Sequence, residues 1–111
     1  MGGDLNDRDF TADGSSTGEI TYLMDTLKTN FIDKGIPVMI GEFGARNKNN
    51  IYARAEWVSY YITRAKELGR PCIWWDNGAF DGDGENFGFL DREKNLFKYD
   101  DILFAMMEAL K

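Results

Sequence analysis

Residues 36–44 read Ile-Pro-Val-Met-Ile-Gly-Glu-Phe-Gly, a short apolar run that ends on a carboxylate held between two glycines. Residues 38–40 form a continuous hydrophobic segment, which is typical of a parallel strand covered on both faces. Glu42 is therefore predicted at the carboxyl end of this strand, where parallel α/β folds bind ligands and carry out chemistry. Gly41 and Gly44 leave room for a ligand or a neighbouring strand beside the backbone.

A second strand is predicted about 30 residues further on, at residues 72–78, which read Cys-Ile-Trp-Trp-Asp-Asn-Gly. It ends in aromatic and polar side chains that suit a sugar. Trp74 and Trp75 are adjacent, so they face opposite sides of a strand. We expect Trp75 to face the cleft and Trp74 to be buried between strand and helix. Cys72, the single cysteine of the chain, is expected to be a packed structural thiol.

Three helical patterns surround the two predicted strands. The first begins at Ser16, which has capping-box spacing with a glutamate, and ends near Gly35. The second covers about 51–68 and the third about 99–110, whereas residues 1–15 predict a loop or extended arm. Helices and strands thus alternate, which predicts a βαβ unit with parallel strands. Two such strands leave sheet edges unpaired, so we expect the chain to be part of a larger α/β structure.

The composition of the chain disfavours or excludes several classes of function. The chain has 111 residues, which is one domain at most, and its net charge is −6. That charge disfavours a nucleic-acid partner or an anionic membrane surface, and no apolar run is long enough to span a bilayer. The sequence contains no histidine, which excludes histidine bases and histidine zinc sites within this chain. No metal site and no cofactor is predicted.

A loop rich in glycine and aspartate follows the second strand and leaves several alternatives open. Asp76, Asp81, Asp83 and Glu85 lie in or beside it. Solvated carboxylates are the common state in such a loop, a catalytic acid is a second interpretation, and a calcium site is a third. The spacing matches no defined calcium loop. Phe80 is either an additional sugar contact or a local anchor.

Three motifs together resemble the carboxyl-terminal part of the glycoside hydrolase family 5 cellulases. They are the runs at 35–44 and 72–78 and the run Glu-Asn-Phe-Gly-Phe-Leu-Asp-Arg at 85–92, with Trp57 and a Tyr-Tyr pair between the first two. The match covers essentially the whole chain. The resemblance implies a partial (β/α)8 TIM barrel, of class α/β. Residues 1–111 would be its carboxyl-terminal fragment, the last helix-strand-helix-strand-helix segment with strands seven and eight.

The resemblance also implies a reaction and its site. Family members are mostly endo-β-1,4-glucanases, with mannanases, xylanases and xyloglucanases among their relatives. They hydrolyse with retention through two glutamates, and the nucleophile maps onto Glu42. The sugar platform maps best onto Trp75, and Asn77 is a plausible hydrogen-bond partner for sugar hydroxyls. The acid/base residue of the family lies in an Asn-Glu-Pro motif, which occurs nowhere in this sequence. We therefore expect this retaining endo-β-1,4-glucanase to need the missing part of the barrel, and the isolated chain to be inactive.

An alternative function belongs to a different class. The chain could be a non-catalytic folding fragment or a weak glucan-binding module, with Trp75 as a platform and Glu42 idle. A glutamate at a strand end can also cap the following turn or pair with an arginine. The expected partners are a β-1,4-glucan and either the amino-terminal half of the barrel or further copies of the chain. Family resemblance implies a secreted, extracellular location.

Overall fold

The structure, a computed structural model, describes residues 15–111 as three α-helices alternating with two short β-sheets. The elements are α1 (Ser15–Asn30), β1 (Glu42–Phe43), α2 (Ile51–Glu67), β2 (Ile73–Trp74), β3 (Leu90–Asp91), β4 (Leu96–Phe97) and α3 (Asp100–Ala109). The predicted arm lies outside the described residues except for Ser15, which begins α1. Within the described part of the chain, no helix combines the length and apolar character needed to cross a membrane.

β1 and β2 are parallel neighbours, which confirms the predicted βαβ unit. The register sets Glu42 opposite Ile73 and Phe43 opposite Trp74. The Ile73 N–H donates to the Gly41 carbonyl at 3.3 Å, and the Trp75 N–H donates to the Phe43 carbonyl at 2.7 Å. The carboxyl ends of both strands therefore point the same way. The antiparallel pair of β3 and β4, which the sequence analysis missed, follows before α3.

The predicted extent of the first strand is wrong, because residues 38–40 precede β1 and form no ladder. In the observed register, residue 40 would face residue 71, and residue 38 would face residue 69. Pro71 has no N–H to donate to a ladder. Gly69 has a φ of 67° and belongs to the turn that ends α2. The strand consequently pairs only at its carboxyl end, where β2 is extended.

Aromatic packing holds β1 and β2 to α2. The Phe43 ring stacks on the Tyr61 ring with centroids 4.3 Å apart and an angle of 4° between the planes. Trp74 contacts Phe43 edge-on at 5.3 Å, and Trp57 lies 5.8 Å from it. Phe43 and Trp74 therefore face the helices together. The remaining buried apolar side chains include Ile20, Met24, Ile40, Val58, Ile62, Ala65, Phe89, Ile102 and Met106.

The opposite side of the two strands has little cover within residues 15–111. Glu42 and its register partner Ile73 lie on this side, where Ile73 is 50% exposed and Glu42 is exposed as well. Within the described chain only the helix side of the two strands is packed, as expected of one part of a larger α/β structure. Large apolar side chains left in water mark a surface that another structure can cover.

Phe43 gives a test of this packing. Replacing a buried phenylalanine by alanine removes its contacts and leaves a cavity, at a cost of about 3–5 kcal/mol. We expect Phe43→Ala to lower the free energy of unfolding by that amount, measured by urea unfolding. Phe104→Ala is the matched control, because Phe104 is 67% exposed, and its effect should stay within about 0.5 kcal/mol. Equal losses in the two variants would contradict the packing described above.

Candidate functional site

Glu42 is the first of the two residues of β1 and lies on the face that the helices leave uncovered. Phe43 and Trp74 are partners in the register and pack together on the helix side. Because successive side chains of a strand alternate, Glu42 and its partner Ile73 lie on the other side. Among residues 15–111, no hydrogen bond or ion pair engages the Glu42 carboxylate. Neither a turn cap nor an arginine of the described chain therefore occupies this acid.

Trp75 shares the uncovered face with Glu42. It comes two residues after Ile73 along the chain, and 40% of it is exposed. Trp74 instead contacts Phe43 and lies 5.7 Å from the ring of Phe89. The two adjacent tryptophans thus have the opposite orientations expected from the sequence. An acid and a flat indole stand on the same face at the carboxyl end of the sheet.

Gly44 lies in close packing at this end of the sheet. A Cβ atom at Gly44 would lie 3.2 Å from Cδ1 of Phe87 and 3.4 Å from the Trp75 carbonyl oxygen. The close approach of a neighbouring strand, one of the two alternatives for this glycine, is therefore observed. A Cβ atom at Gly41 would meet nothing within 4 Å among the described residues. Phe87 and the backbone of Trp75 thus pack against Gly44, two residues after Glu42.

Asn77 uses most of its carboxamide to organise the loop that follows β2. Its Oδ1 accepts hydrogen bonds from the N–H groups of Ala79, at 3.0 Å, and Phe87, at 3.2 Å. Its Nδ2 donates to the Glu85 carbonyl at 2.7 Å. One amide hydrogen remains for a further acceptor. The side chain proposed for sugar hydroxyls thus also fixes the loop beside the site.

Asp76 closes the same loop at its base. Its Oδ1 accepts from the Gly78 N–H at 2.8 Å and its Oδ2 from the Leu90 N–H at 2.9 Å. Arg92 lies 3.8 Å away, and only 13% of the Asp76 side chain is exposed. Hydrogen bonds to a charged group contribute about 1.5–3 kcal/mol each, whereas an ion pair with an exposed arginine contributes about 0–1 kcal/mol. The backbone N–H groups therefore dominate the environment of this carboxylate.

The pKa of the Asp76 carboxyl lies below its ordinary value. Burial alone would raise this pKa, but the hydrogen bonds from the backbone at Leu90 and Gly78 outweigh burial, and the charge of Arg92 acts in the same direction. Asp76 is thus held as an anion and is unsuited to donating a proton near neutral pH. This weakens the interpretation of Asp76 as a catalytic acid.

Gly88 and Phe80 anchor the rest of the loop. The Gly88 N–H donates to the Ala79 carbonyl at 2.7 Å, and a Cβ atom at Gly88 would lie 2.6 Å from that oxygen. Phe80 packs 6.4 Å from the ring of Tyr99, and Lys98 Nζ lies 4.8 Å from the Phe80 ring centre. These contacts favour the local-anchor interpretation of Phe80 over a sugar contact.

The other acids of the loop lie at its surface. Asp81 and Asp83 are exposed, and Glu85 lies 3.6 Å from Arg46. The Asn47 N–H donates to the Asn86 carbonyl at 2.8 Å, so the connection after β1 contacts the loop directly. Within the described residues, no three acidic or cysteine side chains come together as metal ligands would.

Arg54 is a buried cation that the sequence analysis did not single out. It is 2% exposed, its Nε donates to the Ala45 carbonyl at 3.2 Å, and its guanidinium lies 4.8 Å from the centre of the Tyr99 ring. Neither Nη1 nor Nη2 has a hydrogen-bond partner among the described residues. Burial lowers the pKa of this guanidinium, and the Tyr99 oxygen partly offsets that effect. Tyr99 in turn accepts from Asn47 Nδ2 at 3.3 Å.

Comparisons with known sequences point to one family. The family described as Cellulase (glycosyl hydrolase family 5) matches residues 5–81. Endoglucanase B from Neocallimastix patriciarum is 45% identical over 98 residues, which cover 88% of this chain and 20% of that protein. Endoglucanase A from Ruminococcus albus is 47% identical over 104 residues, which cover 92% of this chain and 29% of that protein. The chain therefore spans less than a third of these curated relatives.

A solved structure extends the similarity to the fold. It is a mutant glycoside hydrolase 5 lichenase from Caldicellulosiruptor sp. F32 in complex with cellotetraose. The TM-score is 0.86 at 46% identity, and the match covers 93% of this chain and 28% of the lichenase. The predicted partial (β/α)8 barrel is confirmed, and the described helices and strands are one segment of such a barrel.

Asp76 should give the site a pH dependence. Its pKa is lowered on folding, so its ionised form stabilises the folded chain above the ordinary carboxyl pKa of about 3.9. That stabilisation is lost as the pH falls through the lower pKa of the folded state. We expect an NMR titration to show an inflection below pH ~3.9 for the amide resonances of Gly78 and Leu90. Asp76→Asn should abolish it, and an inflection that persists in this variant would contradict the assignment.

Proposed function

Since the chain belongs to the cellulases of glycosyl hydrolase family 5, we propose that it supplies the nucleophile, Glu42, of a retaining endo-β-1,4-glucanase. The family resemblance seen in the sequence is thereby confirmed. The observation that carries the proposal is the register of Glu42 opposite Ile73, which sets the acid on the same face as Trp75. The activity, the substrate and the partners of the whole enzyme are part of the proposal.

Glu42 suits the role of nucleophile because its backbone is held and its carboxylate is free. β1 is fixed by its ladder with β2 and by the stack of Phe43 on Tyr61. The carboxylate itself is exposed, and no partner among residues 15–111 engages it. A nucleophile needs this combination, because the reacting atoms must be placed accurately while the attacking oxygen keeps its lone pairs.

The second carboxylate of the reaction lies outside this chain in the proposal. Retaining glycosidases hold their two carboxyl groups about 5–5.5 Å apart. Asp76 is an unsuitable acid because its oxygens accept two backbone hydrogen bonds. Glu85 is exposed and lies beside Arg46, and the loop acids Asp81 and Asp83 are solvated. A carboxyl group from another strand of the barrel would therefore supply the proton.

The reaction then runs in two displacements. The Glu42 carboxylate attacks the anomeric carbon of the glucan, while the acid of the other barrel part protonates the departing glycosidic oxygen. The glycosidic bond breaks, and a covalent bond from the sugar to Glu42 forms. The second residue, now a base, takes a proton from water, which attacks the same carbon and releases Glu42. Two inversions give net retention.

Trp75 and Asn77 would bind the sugar next to Glu42. A half-exposed indole can stack on the apolar C–H face of a pyranose and exclude water from it. The remaining amide hydrogen of Asn77 can donate to a hydroxyl, while the rest of its carboxamide holds the loop. The complex of the similar family 5 lichenase with cellotetraose supports a β-glucan as the substrate class.

The partners follow from the uncovered face of the strands. The exposed Ile73 fits a contact with the amino-terminal half of a barrel, which would also bring the acid/base residue. Where that half is missing, further copies of the chain could cover the same face. A polymeric glucan is too large to enter a cell, which supports a secreted location for the enzyme.

A non-catalytic role remains the second candidate. It is favoured by one observation, the lack of a suitable acid among the described residues near Glu42. In that case the chain would be a folding fragment or a weak glucan-binding module, and Trp75 would bind sugar while Glu42 stayed idle. The two candidates differ in what happens when the other part of the barrel is present.

The role of Glu42 can be tested in a completed barrel. We expect Glu42→Ala to lower kcat/KM by roughly a thousandfold or more, because the covalent step is lost. Azide should restore turnover of an aryl cellobioside, whose activated leaving group needs no acid. Azide would attack from the vacated side, so the product should be the α-glycosyl azide.

Glu56→Ala is the matched control, since Glu56 is an exposed glutamate on α2. It should retain the kcat/KM of the unmodified barrel and form no glycosyl azide. A β-glycosyl azide from Glu42→Ala would assign Glu42 as the acid/base residue. That product, or full activity without azide, would reject Glu42 as the nucleophile.

The isolated chain should be inert. We expect it to release no reducing sugar from carboxymethylcellulose above an enzyme-free control, because one of the two carboxyl groups is missing. Addition of the amino-terminal part of a family 5 barrel should produce hydrolysis, and sedimentation should show the two parts associated. Hydrolysis by the isolated chain would contradict the proposal. A stable complex without hydrolysis would favour the non-catalytic candidate.

A further inference from the structure

The Trp75 indole differs from those of the other two tryptophans in its ring contacts. Trp57 and Trp74 are both fixed by contacts with other rings. Within the part of the chain that the structure describes, none of the aromatic ring pairs includes Trp75. The hydrogen bonds of the backbone that carries Trp75 therefore contribute to the position of its indole. On one side, the Trp75 N–H donates to the Phe43 carbonyl at 2.7 Å, which ties it to β1.

Asp76 holds the backbone that directly follows Trp75. Its Oδ1 accepts from Gly78 at 2.8 Å, and its Oδ2 accepts from Leu90, 14 residues later in the chain, at 2.9 Å. The first contact turns the chain directly after Trp75, and the second fastens that turn to the first residue of β3. Asn77 differs in this respect, because its contacts at Ala79, Glu85 and Phe87 stay within the loop.

The side chain of Asp76 therefore joins the end of β2 to the first residue of β3 by hydrogen bonds, beside the ring contact of Trp74 with Phe89. We propose that Asp76 is a positioning residue for Trp75, which fixes the angle at which the indole meets the sugar. The inference rests on the proposed function for the identity of the ligand, but its structural part does not. Asp76 itself touches no substrate in this proposal and acts through the backbone of Trp75.

Binding and chemistry should respond differently to the loss of Asp76. Glu42 is held by the hydrogen bond from Ile73 to Gly41 beside it and by the stacking of Phe43 on Tyr61, and neither contact involves Trp75 or Asp76. A displaced platform weakens substrate binding in the ground state and the transition state alike, which raises KM and leaves kcat nearly unchanged. A general loss of structure would instead lower kcat along with the amount of folded protein.

A double-mutant cycle in a completed barrel separates these cases. Asp76→Asn replaces one accepting oxygen by a donor. We expect it to raise KM for cellotetraose roughly tenfold, because a displaced indole loses part of its contact with the bound sugar. We expect kcat to stay within about threefold of the unmodified value. In a Trp75→Ala background the same substitution should change KM by less than about twofold, because both changes act through one group. Equal effects of Asp76→Asn on KM in the two backgrounds would overturn the proposal.

Asp91→Asn is the matched control. Asp91 is the nearest aspartate after the loop, and its Oδ1 also accepts two backbone hydrogen bonds, from Glu93 and Lys94, both at 3.1 Å. Those contacts lie in the turn between β3 and β4. Asp91→Asn should therefore leave KM for cellotetraose within about twofold of the unmodified value. A rise in KM as large as that of Asp76→Asn would mean that any loss in this region displaces the platform, and would reject a specific role.

A readout without activity separates this proposal from the proposed function. The three tryptophans of the chain can be labelled with 5-fluorotryptophan, and the ¹⁹F resonance of Trp75 can be assigned with Trp75→Phe. We expect Asp76→Asn to shift or broaden the Trp75 resonance and leave those of Trp57 and Trp74 in place. This result without hydrolysis would reject the glucanase and keep the positioning role. An unchanged Trp75 resonance would reject the positioning role, whether or not the barrel hydrolyses glucan.

A milder variant covers the case in which Asp76→Asn does not fold. Asp76→Ser keeps a short acceptor for the Gly78 N–H but lacks the second oxygen for Leu90. We expect a folded protein whose Trp75 resonance alone moves and whose KM for cellotetraose rises severalfold. A folded Asp76→Ser variant with the resonance and KM of the unmodified protein would overturn the proposal.

Discussion

The parallel register between β1 and β2 is the constraint on which the rest of the site depends. Two backbone hydrogen bonds, from Ile73 to Gly41 and from Trp75 to Phe43, define it. Because side chains alternate along a strand, a slip of one residue would turn Phe43 to the open face and Glu42 toward the helices. The register is therefore held as strongly as the aromatic packing beneath it. An acid at the surface is placed accurately because its neighbour in the sequence is buried.

One face of this short sheet contributes to stability, and the other face carries the candidate site. On the helix side, the Phe43 ring packs against those of Tyr61 and Trp74, and burial of aromatic surface contributes strongly to stability there. On the other side stand Glu42, Ile73 and Trp75, which the described chain leaves in contact with water. The same strands thus border a packed core on one side and an uncovered surface on the other. A sheet face without cover in the described chain is expected for one segment of a barrel.

The sequence predicted those parts of the structure that follow from periodicity. The alternation of the three α-helices with β1 and β2, the parallel pairing and the opposite orientations of Trp74 and Trp75 all follow from repeats of two or 3.6 residues, whereas β3 and β4 were missed. Glu42 was found because it ends an apolar run. The extent of β1 was wrong, because it depends on which residues lie opposite, and Pro71 enters that question only once the register is known.

Polar side chains with structural roles were harder to predict. Arg54 is buried among apolar residues of α2, although arginine is usually exposed, so its residue type gave no indication. Asp76 and Asn77 looked like solvated or ligand-binding groups, because their partners at Leu90 and Phe87 are backbone N–H groups far along the chain. Almost every residue has a backbone N–H group, so the sequence does not indicate which of them a side chain will bind.

The contact of Gly88 with Ala79 has a consequence for how this loop can evolve. Any side chain at Gly88 would overlap the Ala79 carbonyl, so the base of the loop tolerates no substitution there without rearrangement. Between these anchor points, Gly82 and Gly84 are exposed and would bring an added Cβ near no other group of the described chain. Insertions at such exposed tips are the ones that folds accept most readily. The segment from 81 to 84 is thus a natural place to lengthen or graft a loop without disturbing the strands that carry it.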